Sequence, residues 1–123
     1  MKKISLLMLD NNKIFLKTAK VFLRGQDIIG EVHTTTSPIT AIRTCEQKQP
    51  QVILLDIRMP GKCGIELIPE IREKAPNAKI IILTIYDLDE YKESAANAGA
   101  DGFVSKKTMS ETLIPTIKSS LNV

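Results

Sequence analysis

The chain has 123 residues, of which 43% are hydrophobic and 25% are charged, and it carries a net charge of +3 at pH 7. This length suits one domain with a single core, and the composition is ordinary for a globular protein. The apolar runs are too short for a membrane span or a signal peptide, so we expect a cytoplasmic protein that does not contact a membrane. With one histidine and dispersed basic residues, a histidine-based metal site, a serine–histidine triad and a nucleic-acid surface are not indicated. Cys45 and Cys63 lack a metal-type spacing and are expected to be free thiols.

Short apolar runs alternate along the chain with amphipathic segments, which predicts five strands and five helices. Gly25 is expected to end the first helix, Ser37 before a proline to begin the second, and Ser110 to cap the fifth. Pro69 and Pro115 are expected in the early turns of their helices. In chain order we predict a strand at 4–9, a helix at 13–23, a strand from 28, a helix from 38 to about 49, a strand at 52–55, a helix at 64–74, a strand at 79–84, a helix at 88–98, a strand at 101–105 and a helix at 111–121.

Strands that alternate with helices pair in parallel through right-handed crossovers, so the whole chain, 1–123, is predicted to form one α/β domain. Sheets of this kind bind their ligands beyond the carboxyl ends of the strands. The candidate site residues are therefore the polar residues that end strands: Asp10, Asn11, Asp56, Thr84, Ser105 and Lys106.

The chemistry of these residues points to phosphoryl transfer. Two carboxylates at one sheet edge repel each other unless a cation or a proton lies between them. Oxygen ligands from Asp10, Asp56 and a nearby carbonyl suit Mg²⁺. The hydroxyl of Thr84 and the ammonium of Lys106 could then hold a phosphoryl group, with Asp56 as the nucleophile that forms an aspartyl phosphate.

Four motifs, each at a strand end, resemble the receiver domain of bacterial two-component response regulators. They are "LMLDNN", "LLDIRMPGKCG", "IILTIYD" and "GADGFVSK", and the last is similar to the nitrate-response (NarL/FixJ) subgroup in particular. The resemblance covers the whole chain. It implies a single flavodoxin-like (βα)5 fold, a doubly wound parallel sheet with the strand order 2-1-3-4-5.

The resemblance also implies a role for each site residue. Asp56 would accept a phosphoryl group from the histidine of a sensor kinase, as in phosphorelay signalling. Asp10 would hold Mg²⁺ together with Asp56, and the backbone carbonyl of Arg58 would add a ligand. Thr84 and Lys106 would contact the phosphoryl oxygens.

The expected response to phosphorylation is a conformational change on one surface of the domain. Phe103 occupies the aromatic switch position and is expected to turn inward as Thr84 moves toward the phosphate. The surface of the fourth helix, the fifth strand and the fifth helix would then change. The family leads us to expect a phosphorylation-dependent homodimer. Control of transcription is expected through a helix-turn-helix DNA-binding domain that this chain does not include.

Asn11 departs from the family pattern, because the family usually has a second acid there that contacts the metal directly. An amide oxygen can still bind Mg²⁺ but brings no negative charge, so weaker metal binding is expected. A second departure is Lys107, which follows Lys106 where the family often has Pro or Asp. Without proline, a cis bond between Lys106 and Lys107 would cost about 3 kcal/mol, so it is not assumed.

A third departure concerns the residues two positions after Asp56 and Thr84, which are Arg58 and Tyr86. Bulky groups there would overhang the phosphate and hinder the hydrolytic water. We therefore expect slow self-dephosphorylation.

The sequence leaves two functional hypotheses. The first is a phosphoaccepting signalling switch, which is not a turnover enzyme. The alternative is an atypical receiver that acts as a phosphorylation-independent protein-interaction module, and Asn11 keeps it open. Asp10 as a plain helix cap also stays open. An aspartate-nucleophile phosphatase is rejected, because it would need a general acid two residues after Asp56, where this chain has Arg58. A flavin carrier is rejected as well, because it would need a phosphate-binding loop after the first strand, and "DNNKIF" is not one. No role is predicted for His33.

Overall fold

The computed structural model describes residues 2–59 and 61–123 and consists of strands and helices that alternate along the chain. In chain order the elements are β1 (Ile4–Leu9), α1 (Lys13–Arg24), β2 (Ile29–Thr35), α2 (Pro38–Lys48), β3 (Val52–Leu55), β4 (Arg58–Met59), β5 (Lys62–Cys63), a 3₁₀ turn (Gly64–Leu67), α3 (Ile68–Lys74), β6 (Lys79–Thr84), α4 (Asp89–Ala98), β7 (Gly102–Ser105) and α5 (Met109–Leu121).

Five strands form one parallel sheet in the order β2-β1-β3-β6-β7, and β4 pairs with β5 in a separate antiparallel pair. Counting only the strands of the large sheet, this order is the predicted 2-1-3-4-5. The change of direction in strand order lies between β1 and β3, so a crevice opens beyond their carboxyl ends. The predicted α/β fold class is confirmed.

Local sequence explains where the first two helices begin and end. The side chain of Asn12 accepts a hydrogen bond from the backbone N–H of Phe15 (3.0 Å) and caps α1, which Gly25 ends. The side chain of Ser37 caps α2 in the same way. Among the described residues, none of the helices has the length and apolar character that crossing a membrane requires.

Two hydrophobic clusters cover the two faces of the sheet. One cluster joins the sheet to α1 and α5, and the other joins it to α2, α3 and α4. Strand β3 contributes Val52 and Leu54 to the first cluster and Ile53 and Leu55 to the second. Burial on both faces explains why this strand is apolar without alternation.

Two helix starts differ from the prediction. The N-cap of α5 is Thr108, so the predicted cap at Ser110 is wrong: Ser110 lies in the first turn, and the carbonyl of Thr108 already accepts from Thr112 N–H (3.0 Å). Pro115 consequently lies inside the helix, in its second turn. The segment 64–67 is a 3₁₀ turn, which leaves Pro69 in the first turn of α3, where a missing N–H is tolerated.

Candidate functional site

Asp56 is the first residue after β3 and lies at the bottom of the crevice. Its backbone N–H donates to the carbonyl of Leu9 at the end of β1 (3.1 Å), which ties the two strand ends together. One carboxylate oxygen, Oδ1, accepts from the backbone N–H of Ile57 (2.8 Å). The residue is only 6% exposed. The other oxygen, Oδ2, points to the neighbouring charged groups.

Asp10 follows β1 and is 1% exposed. Its Oδ1 accepts from the backbone N–H of Asn12 (2.9 Å), and its Oδ2 lies 2.6 Å from Nζ of Lys106. The N-cap of α1 is Asn12, so Asp10 is not a plain helix cap. It stabilises the turn before the helix with one oxygen and offers the other to the crevice.

Lys106 brings a cation between the two acids. It follows β7, and its backbone N–H donates to the carbonyl of Thr84 (2.8 Å). Its Nζ lies 2.6 Å from Asp10 Oδ2 and 3.5 Å from Asp56 Oδ2, and its side chain is 12% exposed. The ammonium therefore offsets the repulsion between two carboxylates that the fold buries side by side.

Thr84 is the last residue of β6 and is fully buried. Its Oγ1 accepts from the backbone N–H of Tyr86 (3.2 Å). Ser105 pairs with Thr84 across the sheet, and its hydroxyl accepts from the backbone N–H of Lys107 (3.2 Å). The described residues contain no cis peptide bond, so the bond between Lys106 and Lys107 is trans.

The pKa of the Asp56 carboxyl is raised above its ordinary value. Burial is the largest cause, and the nearby carboxylate of Asp10 is the second. The ammonium of Lys106, the hydroxyl of Thr84 and the backbone N–H of Ile57 oppose the rise. The crevice thus holds a carboxylate whose charge is incompletely compensated, which suits it to bind a further cation or to react with an electrophile.

Arg58 and Tyr86 contact each other at the rim of the crevice. The guanidinium carbon lies 4.6 Å from the centroid of the Tyr86 ring, and Tyr86 meets Tyr91 edge to face with centroids 6.2 Å apart. The side chain of Tyr91, and next that of Tyr86, raise the pKa of Arg58. The two bulky residues form one stacked group. Their effect on phosphate lifetime stays a prediction.

Three other residues from the sequence analysis are Phe103 and His33, which lie on strands, and Asn11, which directly follows Asp10. Phe103 is half-buried in β7 and packs against the cluster on the α4 side, with Nζ of Lys92 5.9 Å from its ring centroid. Asn11 is exposed at the rim. His33 lies on β2, where its Nε2 is 3.4 Å from Glu31.

The crevice offers oxygen atoms, which are the ligands that Mg²⁺ prefers. Asp10 and Asp56 converge on a single point, since one ammonium lies near both, and Mg²⁺ needs few protein ligands besides its waters. The part of the chain that the structure describes has no group of three or more acidic, histidine or cysteine side chains suited to a metal. Any further protein ligand would be neutral, from the amide of Asn11 or the carbonyl of Arg58.

Sequence reasoning missed two residues that shape the site. Phe15 in α1 lies under Lys106, with Nζ 4.0 Å from its ring centroid. Gly64 lies against the backbone of Asp56, where a Cβ atom would be 1.8 Å from the Asp56 carbonyl oxygen. Phe15 belongs to the apolar spacing that predicts the first helix, which gives no sign of a contact with Lys106, and no local signal pairs Gly64 with Asp56.

Comparison with known proteins identifies the family of the chain. The family model described as "Response regulator receiver domain" matches residues 6–118. The transcriptional regulatory protein MctR of Rhizobium johnstonii is 32% identical over 95% of this chain and 55% of its own length. The chain spans about half the length of the curated relatives it matches.

Solved structures show the same fold. The response regulator domain of Thermotoga maritima CheB superposes with a TM-score of 0.89 at 22% identity, covering 99% of this chain and 98% of that one. A LuxR-family DNA-binding response regulator from Staphylococcus aureus gives a TM-score of 0.78 at 31% identity, covering 95% and 98%. The chain therefore belongs to the response regulator receiver domain family, with relatives among the NarL/LuxR-type regulators of two-component systems.

Proposed function

We propose that the chain accepts a phosphoryl group on Asp56 from the histidine of a sensor kinase and passes the signal on as a change of surface. The observation that carries this proposal is the arrangement of Asp56, Asp10 and Lys106, a buried acid pair with an ammonium 2.6 Å from one acid and 3.5 Å from the other. Receiver domains are generally signalling domains rather than turnover enzymes, and this chain fits that class.

In the transfer, a carboxylate oxygen of Asp56 attacks phosphorus and the bond from phosphorus to the donor nitrogen breaks. The electron pair of that bond stays with the imidazole of the donor. Lys106 needs only a small movement to pair with a phosphoryl oxygen, because its Nζ already faces Asp56 Oδ2. The hydroxyl of Thr84 accepts from Tyr86 N–H, so its own proton is available to donate to another phosphoryl oxygen.

Receiver domains generally bind Mg²⁺. Here Asp10, Asp56, the Asn11 amide and the Arg58 carbonyl would hold it. A bound Mg²⁺ would offset negative charge on the transferring group. Asn11 supplies no charge, so we expect a weaker site than one built with a third carboxylate. Lys106 already compensates Asp10 and must share that carboxylate with the metal.

The output side of the proposal concerns the surface formed by α4, β7 and α5. Phe103 would turn inward when Thr84 moves toward the phosphoryl group, and its half-buried position leaves room for such a change. The relatives are transcriptional regulators about twice as long as this chain, so control of transcription would act through a DNA-binding domain in the remaining length. A phosphorylation-dependent homodimer belongs to the same proposal.

One observation favours a second candidate, a phosphorylation-independent interaction module. Asn11 is exposed and neutral, so it adds no charge for a metal, and Lys106 already pairs with Asp10, one of the two acids. A receiver of this kind would present one fixed surface to its partner. Both candidate functions use the same fold, and a test of whether the protein can be phosphorylated distinguishes them.

The deciding experiment is the intact mass of the protein after incubation with acetyl phosphate or a phosphorylated kinase, with and without Mg²⁺. We expect one phosphoryl adduct that depends on Mg²⁺ and is absent in Asp56→Asn. Asn11→Asp should form the same adduct at a lower Mg²⁺ concentration. A wild-type protein that takes no phosphoryl group from either donor, at any Mg²⁺ concentration, would refute the proposal and support the interaction module.

A further inference from the structure

The ring of Phe15 lies against the ammonium of Lys106, the same ammonium that contacts the two acids. It is the third residue of α1, and its backbone N–H is held by the Asn12 side chain (3.0 Å). Nζ of Lys106 lies 4.0 Å from the ring centroid, well inside the range of about 6 Å over which a cation is attracted to an aromatic face. The ring is therefore part of the immediate surroundings of the ammonium, together with the two acids.

The contact restricts a side chain that would otherwise be mobile. Lysine has a flexible four-carbon stem and loses much rotamer freedom when it is fixed. Here Nζ lies 2.6 Å and 3.5 Å from two carboxylates and 4.0 Å from the centroid of the Phe15 ring, and the side chain is only 12% exposed. Together these groups restrict the ammonium to the crevice, close to Asp10 and within reach of Asp56.

Phe15 differs in this respect from the other aromatic residue of α1. Phe22 is also half-buried and packs against the same hydrophobic cluster. It lies about two turns further along the helix, and it is not among the aromatic rings that contact a cation in the described residues. Packing against the core is common to both rings, whereas contact with the site lysine belongs to Phe15.

We propose that Phe15 is a positioning residue for phosphoryl transfer: its ring holds the Lys106 ammonium in the crevice, ready to pair with the incoming phosphoryl oxygen. This inference rests on the proposed function of Asp56. Phe15 itself touches neither the donor nor the reacting atoms. It acts through Lys106, by limiting where the ammonium can go before and during the transfer.

The first test is spectroscopic and needs no phosphorylation. In protein with ¹³C-labelled lysine, the ε-methylene signal of Lys106, identified by its loss in Lys106→Arg, should be shifted upfield by the ring. The shift should disappear in Phe15→Leu and persist in Phe15→Tyr and in the control Phe22→Leu. An unshifted signal in the wild type would overturn the inference.

The second test is kinetic. Phe15→Leu should lower the maximal rate constant of adduct formation from acetyl phosphate by about three- to tenfold, as for loss of one partly desolvated cation–π contact, with little change in the half-saturating donor concentration. Phe15→Tyr should restore most of the rate, and Phe22→Leu should behave as the wild type. Equal losses in Phe15→Leu and Phe22→Leu would show a structural role only.

A wild type that takes no phosphoryl group refutes the proposed function itself, whereas a phosphorylated wild type with unchanged Phe15→Leu kinetics refutes this inference alone.

Discussion

At the scale of single residues, the site is defined by how one ammonium compensates two buried acids. Asp10 and Asp56 both end strands of the same sheet and are almost fully buried, so the fold forces them together. Lys106 is closer to Asp10 than to Asp56, by 2.6 Å against 3.5 Å. Asp56 is therefore the less compensated of the two, and its raised pKa has burial and Asp10 as the leading causes.

This imbalance predicts how Asp56→Asn changes stability with pH. Because the pKa is raised on folding, the folded state binds the Asp56 proton more tightly than the unfolded state, and ionised Asp56 destabilises the fold above its folded pKa. Without Mg²⁺, we expect Asp56→Asn to be more stable than the wild type at pH 7 by about 1 kcal/mol, the usual size of a substitution effect. This gain in stability should shrink as the pH falls toward 3.8, the ordinary pKa of an aspartate carboxyl.

The measurement is urea unfolding in EDTA from pH 7 down to pH 4. The matched control is Asp27→Asn, since Asp27 is an exposed residue outside the crevice. A gain that grows in acid, or a variant less stable than the wild type at pH 7, would show that the charge of Asp56 is fully compensated in the folded protein.

The stacked pair at the rim makes a prediction about phosphate lifetime. Arg58→Ala with Tyr86→Ala should lose its phosphoryl group about three- to tenfold faster, a modest change in an activation barrier, because water gains access to the phosphorus. Since the guanidinium packs on the ring at 4.6 Å, each single variant should show most of this effect. The loss of the adduct with time, followed by intact mass, measures the rate. Arg43→Ala on α2 is the control, and a double variant that hydrolyses no faster would rule the hindrance out.

At the scale of elements, the segment after β3 packs directly against the backbone of Asp56. It runs through β4 and β5 into the 3₁₀ turn, whose first residue is Gly64. The backbone N–H of Gly64 donates to the carbonyl of Ile57, so the segment folds back on the end of β3. Only a residue without a side chain fits there, because a Cβ atom would overlap the Asp56 carbonyl oxygen.

We therefore expect Gly64→Ala to destabilise the protein by about 2–3 kcal/mol, the upper part of the range for overpacking, since the obstructing atoms belong to the backbone. Gly25→Ala is the matched control. Gly25 has φ −78 and the nearest atom to its added Cβ would be at 3.4 Å, so a change within about 0.5 kcal/mol is expected. The free energy of unfolding in urea measures both. Equal stability of the two variants would show that the segment yields more easily than its contacts imply.

At the scale of the whole molecule, the sheet is buried on both faces. A group of polar contacts around Arg72 lies at the amino ends of β6 and β7, at the opposite edge of the sheet from the acids. The guanidinium of Arg72 donates to the carbonyls of Ala78 and Gly99 and pairs with Asp101 (2.9 Å). Asp101 also accepts from the backbone N–H of Ile80 (2.9 Å). This contact links α3, β6 and the turn after α4 at the edge of the sheet opposite the site.

The two free cysteines report on the cooperativity of this core. Cys45 in α2 is 0% exposed, and burial raises its pKa to about 11, so it is neither accessible nor ionised at pH 8. Cys63 is half-buried in β5. A disulfide reagent should modify Cys63 first and Cys45 at least about a thousandfold more slowly, at the rate of global opening. Cys63→Ser should abolish the fast phase. A fast reaction of Cys45 would show local opening of α2.

Much of the fold was predictable from sequence for local reasons. Apolar runs such as Ile80–Leu83 mark strands that are buried on both faces, and Asn12, Ser37 and Gly25 are good helix-terminal residues. The start of α5 was predicted two residues late because Ser110 has better capping chemistry than Thr108, whereas the backbone hydrogen bond from Thr112 N–H to the Thr108 carbonyl begins the helix earlier. The β4–β5 pair was not predicted, since strands of two residues have no periodicity.

The sequence by itself determined the fold class, the strand order through its family motifs, and which polar residues end strands. These follow from hydrophobic periodicity and strand-end chemistry, which are properties of neighbouring residues. The tertiary structure decided that Lys106 lies between Asp10 and Asp56 and that Phe15 covers it. Those contacts join residues far apart in the chain, and their distances depend on the crossovers and the packing of side chains, which no local pattern contains.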